Sequence, residues 1–588
     1  MAYDAPLSEF NFVLKELLDL PEILSNYKGN ADVGIINSIL NESDKLAREL
    51  FAPLNQIGDH YPPKLVDGVV SMPKGFHDAY EQFAKAGWQA LSHAESIGGH
   101  GLPKVITSAF NESLHGANMA LALCPMLTDA AIELIARAGS KEQQRIYLPP
   151  LLEGRWAGTM NLTEPQSGSD LSTIKTRALP MQDGSYRLHG EKIFISYGEH
   201  DLTENIIHMV LARTPNAPKG VHGISLFIVP KYLPDHNGSL GAKNDVWCAS
   251  LEKKLGIHAS PTAVMLYGAD KGEVSEGAIG YRVGEENHGL KQMFIMMNAS
   301  RYAVGLQGVA ISEAATQRAH AYAHTRIQGP PPKAADKKTP IIHHPDVQRM
   351  LGTAQALTQG SRALTYYTAL CIDLQQTQRA ELLIPVVKGF CTEIAQEVTY
   401  LAMQIHGGMG YIEETGIAQL YRDARVLTIY EGTTAIQAND LLNRKIFLDK
   451  GQALLDLLAD INQTLAETKT PPSSIKPLFT NLKKAHQQCE KLAQWLLHDG
   501  VSPRAFFNSV PFLMLLGVTT AGWLMLRSAL IAAHKISMGN TASFYAHKLA
   551  TCQYFGACVL PKAHAYSAAI HSSRCDSGLP LDYPATTH

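Results

Sequence analysis

Between about residues 160 and 280 the chain changes its hydrophobic period, and this change constrains the fold more than any other feature. On the N-terminal side, apolar residues recur at three- and four-residue steps, as in Phe10, Val13, Leu14 and Leu17 and in the runs HDAYEQFAKAGWQAL and LTDAAIELIARAG. That is the period of helices with one buried face. Inside the block the chain breaks into short β-favouring runs, YRLHGEKIFIS, IIHMVLART, GISLFIVP and AVMLYGA, divided by Gly, Pro, Asn and Asp. Asp183-Gly184 stands where a hairpin turn belongs. A compact antiparallel β domain inserted between helical segments is the expected reading.

The helical period then returns. The alanine-rich stretch KQMFIMMNASRYAVGLQGVAISEAATQRAHAYAHTR has no proline and predicts one long helix. A second helix is expected to open at Pro345, since proline is tolerated in a first turn, and a third to cover about 384–406. Between the first two, GPPPKAADKKTP at 329–340 predicts a loop. After Lys445 another helical unit follows, entered through KTPPSSIKP at 469–477. The fold class is therefore mainly α with a central β domain. The expected divisions are a helical extension at 1–37, a helical domain at 38–158, the β domain at 159–281, a helical bundle at 282–446 and an additional helical domain at 447–588. A chain of 588 residues needs several cores, which fits this division.

Composition excludes several classes. A formal net charge of −3 gives no global attraction to nucleic acid or an anionic membrane. Beyond residue 444 there are 13 Lys/Arg against 8 Asp/Glu, too dilute an excess for a DNA-binding tail. The eight cysteines form no CxxC, so neither a zinc site nor a disulfide scaffold is expected, and reduced cytoplasmic thiols fit better. No metal is expected. The N-terminus MAYDAPLSEFNFVLKELLDL carries acids early and predicts no secretory leader. Residues 510–526, VPFLMLLGVTTAGWLML, reach the lower limit of a membrane span, but Pro511, Gly517 and Thr519-Thr520 favour a buried helix. That reading leaves peripheral contact with the inner membrane open.

Three segments suggest chemistry. LTEPQSGSD at 162–170 combines Thr163, Ser167 and Ser169 with Gly168, a turn that exposes donors to a flavin ring edge or a pyrophosphate. An ordinary surface turn would read the same way. QIHGGMGY at 404–411 offers paired glycines that let a ligand approach the backbone, or simply a helix C-cap at Gly407. TIYEGTTAIQ at 428–437 sets Glu431 between an apolar run and a helix start, flanked by Tyr430 and Gly432. A lone loop glutamate is usually solvated; its company is what sets this one apart.

The ordered set LTEPQSGSD, QIHGGMGY, LYRDARV and IYEGT resembles the acyl-CoA dehydrogenases over about residues 40–445, and the flanking segments resemble the longer members of that family. The resemblance implies FAD-dependent α,β-dehydrogenation of an acyl-CoA to a trans-2-enoyl-CoA, with Glu431 as the base. Some relatives carry the base before an arginine on the long helix; here that pair is Ser300-Arg301, and serine cannot act as one. For FAD the resemblance points to Thr163, Ser169, Phe194, Ser196, Gln404, Gly407, Gly408 and Thr433, with Arg326 and Gln328 reaching a neighbouring subunit's cofactor. For the acyl-CoA it points to Ser169, Arg301, Tyr430 and Gly432. Pro345 and Ala435 stand where relatives place glutamines, which puts the strength of FAD binding in question. The implied partners are an electron-transferring flavoprotein and a second copy of the chain. An acyl-CoA oxidase, which returns electrons to O₂, shares these motifs, as does a non-catalytic flavin-bearing DNA-binding relative.

Overall fold

The computed structural model describes residues 3–25, 32–332 and 338–573, so residues 333–337 of the expected loop at 329–340 lie outside the described residues. Two compact units emerge, one formed by residues 1–354 with 394–431, the other by 355–393 with 432–588.

In the first unit, helices precede and follow a β-sheet. The helix α1, Lys104–Ala138, is kinked at Asn118, whose backbone leaves helical geometry. The Asn118 side chain repairs the break: its Oδ1 accepts from Leu121 N at 3.1 Å and its Nδ2 donates to Phe51 O at 3.3 Å. A Lys64–Val66/Val69–Ser71 hairpin interrupts the N-terminal helices; it was invisible to the periodicity because each strand spans three residues.

The sheet comprises β1 (Trp156–Asn161), β2 (Arg177–Pro180), β3 (Tyr186–Ser196), β4 (Asn205–Ala212), β5 (Ser225–Pro230), β6 (Val246–Leu251), β7 (Thr262–Tyr267) and β8 (Ala278–Val283). Their order is β6-β7-β3-β8-β5-β4-β1, with β2 also paired to β3. Asp183-Gly184 does turn the β2–β3 hairpin. All these pairings are antiparallel except β1 with β4, which is parallel. The run IIHMVLA gave no alternation because β4 is buried at every position, as is β5. A strand covered on both faces has no polar side to show. Ile132 and Ile135 of α1, Trp156, Ile207, Met209 and Ile228 of the sheet, and Met293 and Met296 of the next helix share one core.

That next helix, α2 (Gly289–Thr325), is the predicted long one. The helix α3 (Pro345–Asp373) opens on Pro345 as expected. The helix α4 (Thr377–Ile405) begins about two turns before the expected start and carries Pro385 within it. In the first unit, α5 (Ile417–Ala424) leads toward Glu431 and is pinned through Arg422. The Arg422 guanidinium binds Asp59, and the Asp59 carboxylate lies 2.8 Å from His258 Nδ1.

In the second unit, the apolar segment 510–526 lies inside the helix Ser509–Ser537, whose most apolar window is 89% buried. Its glycines mark close packing: a Cβ on Gly517 would lie 2.6 Å from the Phe390 ring. This is a core helix. The buried Lys388 ammonium donates to the carbonyl of Gly432 at 2.6 Å.

Candidate active site

The LTEPQSGSD segment leaves β1 and folds around the buried carboxylate of Glu164. That carboxylate accepts from Lys175 N (2.6 Å), Thr176 N (3.1 Å), Thr176 Oγ1 (2.6 Å) and Gln166 Nε2 (2.6 Å), and pairs with Lys192 Nζ at 2.8 Å. Burial alone would raise the Glu164 carboxyl; the Lys192 ammonium and these donors outweigh it and hold it at about 2. Lys192 reaches across from β3 and also donates to Leu162 O at 3.0 Å. Neither residue was singled out in the sequence. The signal was there in Lys192, a cation at an inward position of the strand run EKIFIS.

With its inner side satisfied in this way, the loop leaves Thr163 half-buried and Ser169 exposed, and a Cβ on Gly168 would meet nothing within 4 Å. Thr163 O accepts from Ile193 N at 2.9 Å, which ties the loop to β3. The β3–β7 register shifts between Ala263 and Met265, and opposite that shift Phe194 adopts φ +60° with 59% of its surface exposed. A bulge of this kind re-aims a side chain out of the sheet. Ser169 and Phe194 are exposed and Thr163 and Ser196 half-buried, so an aromatic ring and three hydroxyls remain open to a ligand. This set fits a flat heteroaromatic ring.

A second group forms at the far end of α2. Arg326 caps the helix, and with the Gln328 amide oxygen turned inward that oxygen accepts from Arg326 Nε (3.1 Å) and Nη2 (2.6 Å). One turn earlier, Tyr322 stacks on His406, ring centroids 4.2 Å apart. His406 follows the last turn of α4, on which Gln404 is exposed, and precedes Gly407 and Gly408, so this stack brings the start of the glycine turn to the end of α2. A Cβ on either glycine would meet open space, and Gly407 holds φ +59°. The exposed cradle of bare backbone, guanidinium and amide fits the phosphate and nucleoside part of a dinucleotide.

Glu431 lies at the end of a short helical run after α5, half-buried, with φ +55°. A non-glycine residue in the left-handed region is strained and persists only where its surroundings fix it. The fixing is visible at Tyr430, whose hydroxyl donates to Gln307 Oε1 of α2. Burial, and secondarily the Glu431 charge, push the Tyr430 phenol far above its ordinary range, so it stays protonated. The Tyr430 hydroxyl is thus committed to the protein. Gln307, the polar residue within VGLQGVA, was missed because an isolated glutamine carries no motif.

Ser300 and Arg301 are buried on α2, with the Arg301 guanidinium 5.7 Å over the Phe294 ring. Ser300 shares the helical face of Gln307, two turns earlier. Gly432 and Thr433 belong to the second unit, where the Thr433 hydroxyl caps the helix Thr434–Asp440 through Ile436 N. Ala435 is exposed there.

Helical, β and helical segments in this order, with such residues on them, define a flavoenzyme class. The chain belongs to the acyl-CoA dehydrogenase family: its N-terminal, middle and C-terminal domain models match residues 68–155, 159–267 and 287–446. A further model, acetyl-CoA dehydrogenase C-terminal like, matches 457–576. Among relatives, 3-methylmercaptopropionyl-CoA dehydrogenase of Ruegeria pomeroyi is 46% identical, covering 98% of this chain and 99% of that one. A broad-specificity linear acyl-CoA dehydrogenase of Mycobacterium tuberculosis is 34% identical, covering 94% of each. The solved structure of Caenorhabditis elegans ACDH-11 shares the fold, with TM-score 0.77 and 21% identity over 95% of this chain and 91% of that one.

Proposed function

We propose that the chain desaturates a short acyl-CoA between its α and β carbons, with Glu431 removing the α-proton. The reaction class follows from family membership; the observation that carries the assignment of the base is the Glu431 backbone, held left-handed beside an anchored tyrosine. An α-proton of a thioester is weakly acidic, so the thioester carbonyl must be polarised before a carboxylate can take it. In this reading the Glu431 N–H donates to that carbonyl, an oxyanion-hole device. The Glu431 carboxylate then receives the proton; exclusion of water by the bound acyl chain raises its basicity toward what a general base needs.

As in the rest of the family the cofactor is FAD, and the chemistry it supplies when bound is acceptance of the β-hydride. Phe194, Thr163, Ser169 and Ser196 would hold its ring, and Arg326, Gln328, Gln404, Gly407 and Gly408 its pyrophosphate and adenosine. In this reading Arg326 and Gln328 reach the cofactor of a second copy of the chain, and the enzyme is a homodimer. Reoxidation by an electron-transferring flavoprotein and a cytoplasmic location complete the reading.

The names of the full-length relatives support a short or linear acyl group, including one carrying a thioether. The test is anaerobic mixing of the yellow holoenzyme with butyryl-, 3-methylmercaptopropionyl-, octanoyl- and palmitoyl-CoA. Rapid bleaching of the flavin by one of the first two supports the reading. Bleaching by none of the four refutes it, and fast reoxidation by O₂ alone would make the enzyme an oxidase.

A further inference from the structure

Gln307 is fully buried in α2, and its carboxamide is used at both ends. The oxygen accepts the Tyr430 hydroxyl, while the nitrogen lies 3.5 Å from His115 Nδ1 and 3.4 Å from Met126 Sδ. Those last two contacts are long for hydrogen bonds and leave the amide N–H groups weakly satisfied. His115 and Met126 also line a cavity of about 40 Å³, together with Lys104, Ser108, Asn111 and Asp129. A cavity of that size, with polar groups on its wall, has room for water. Burial holds His115 down at about 3, so the imidazole is neutral and can accept from the amide.

Resting on the reading of Glu431 as the base, we propose that Gln307 is a positioning residue for it: by fixing the Tyr430 hydroxyl, and anchored itself at the wall of this cavity, it holds the adjoining Glu431 in its left-handed backbone. The chemistry demands an amide. The Tyr430 hydroxyl donates here, so its partner must accept; His115 can accept, so the same side chain donates there. Glutamate would satisfy the first demand but bring a second carboxylate toward Glu431. Leucine would satisfy neither and would leave a buried hydroxyl orphaned.

The test uses the holoenzyme and anaerobic stopped-flow reduction of its flavin by a reducing acyl-CoA from the panel above. Gln307→Leu is expected to slow reduction about 10- to 10²-fold, as a base displaced by less than about 1 Å would, while FAD content and half-saturating substrate stay near wild type. The double variant Gln307→Leu/Tyr430→Phe should be no slower than Tyr430→Phe alone, because the two residues act through one hydrogen bond. Gln307→Glu should move the acid limb of the pH–rate profile upward, an effect that a purely structural residue would not have. A wild-type rate in Gln307→Leu, or two single effects that multiply in the double variant, overturns the proposal. If Gln307→Leu loses its FAD, Gln307→Glu decides, and an unshifted pH profile overturns it. Glu431→Gln in the same assay reports on the base separately: a wild-type rate there sinks that reading whatever Gln307 does.

Discussion

Replacing Lys192 by methionine removes the cation of the buried pair beneath the flavin loop and nearly preserves its stem. The Lys192 side chain is 0% exposed and that of Glu164 is 3% exposed. Against burial, the Lys192 ammonium and the neighbouring donors hold the Glu164 carboxyl at about 2, below its ordinary 4.5. Burial, opposed by Glu164, lowers Lys192 from 10.5 to about 8. The cost of burying both charges offsets most of their attraction, so the intact pair contributes little net stability at neutral pH, as buried pairs commonly do. Breaking it is another matter: a carboxylate left buried without its cation costs about 3–5 kcal/mol. The pH dependence also reverses. In wild type the Glu164 contribution is present above 4.5 and lost as pH falls toward 2. In Lys192→Met the carboxyl is raised instead, so stability is present at low pH and lost as pH rises. Denaturant unfolding and FAD content at pH 5.5 and 8 read this directly. Lys192→Met should be clearly weaker at pH 8 than at 5.5 and partly flavin-free, and adding Glu164→Gln should restore much of both. An unfolding free energy within about 1 kcal/mol of wild type at pH 8 would refute the reasoning.

Other outcomes follow from the same structure. Arg326→Ala should lower FAD occupancy without changing the fold, as read by flavin absorbance and circular dichroism, and light scattering should find a dimer. Burial raises Asp423 to about 6 from 3.8, so its ionised form is penalised above that value and the penalty fades as pH falls below it. Asp423→Asn should therefore stabilise more at pH 8 than at pH 5 in thermal melts. In Glu431→Gln/Ser300→Glu, a carboxylate on the adjoining α2 face should restore part of the lost flavin reduction.

What the sequence made legible had a period or a motif. The long helix α2, the start of α3 at Pro345 and strand β3 over YRLHGEKIFIS could be read because apolar spacing and punctuation residues act locally. The start of α4 was placed late: the helix begins at Thr377 and runs through Pro385. The parallel β1–β4 pairing could not be read, since pairing is set by the whole sheet. The candidate site divided in the same way. Glu431 and the glycine pairs belong to short strings, whereas Gln307, Glu164 and Lys192 act through partners 123 and 28 residues away, and distance along the chain hides them.

The central claim is that Glu431 takes the α-proton, and Glu431→Gln tests it most directly because the amide keeps the shape and removes the base. Anaerobic stopped-flow isolates flavin reduction from later electron transfer. The account predicts a variant that binds FAD and acyl-CoA normally and reduces its flavin at least about 10²–10⁴-fold more slowly than wild type, the usual share of general-base catalysis. Flavin reduction by Glu431→Gln at the wild-type rate would place the base elsewhere and contradict the account.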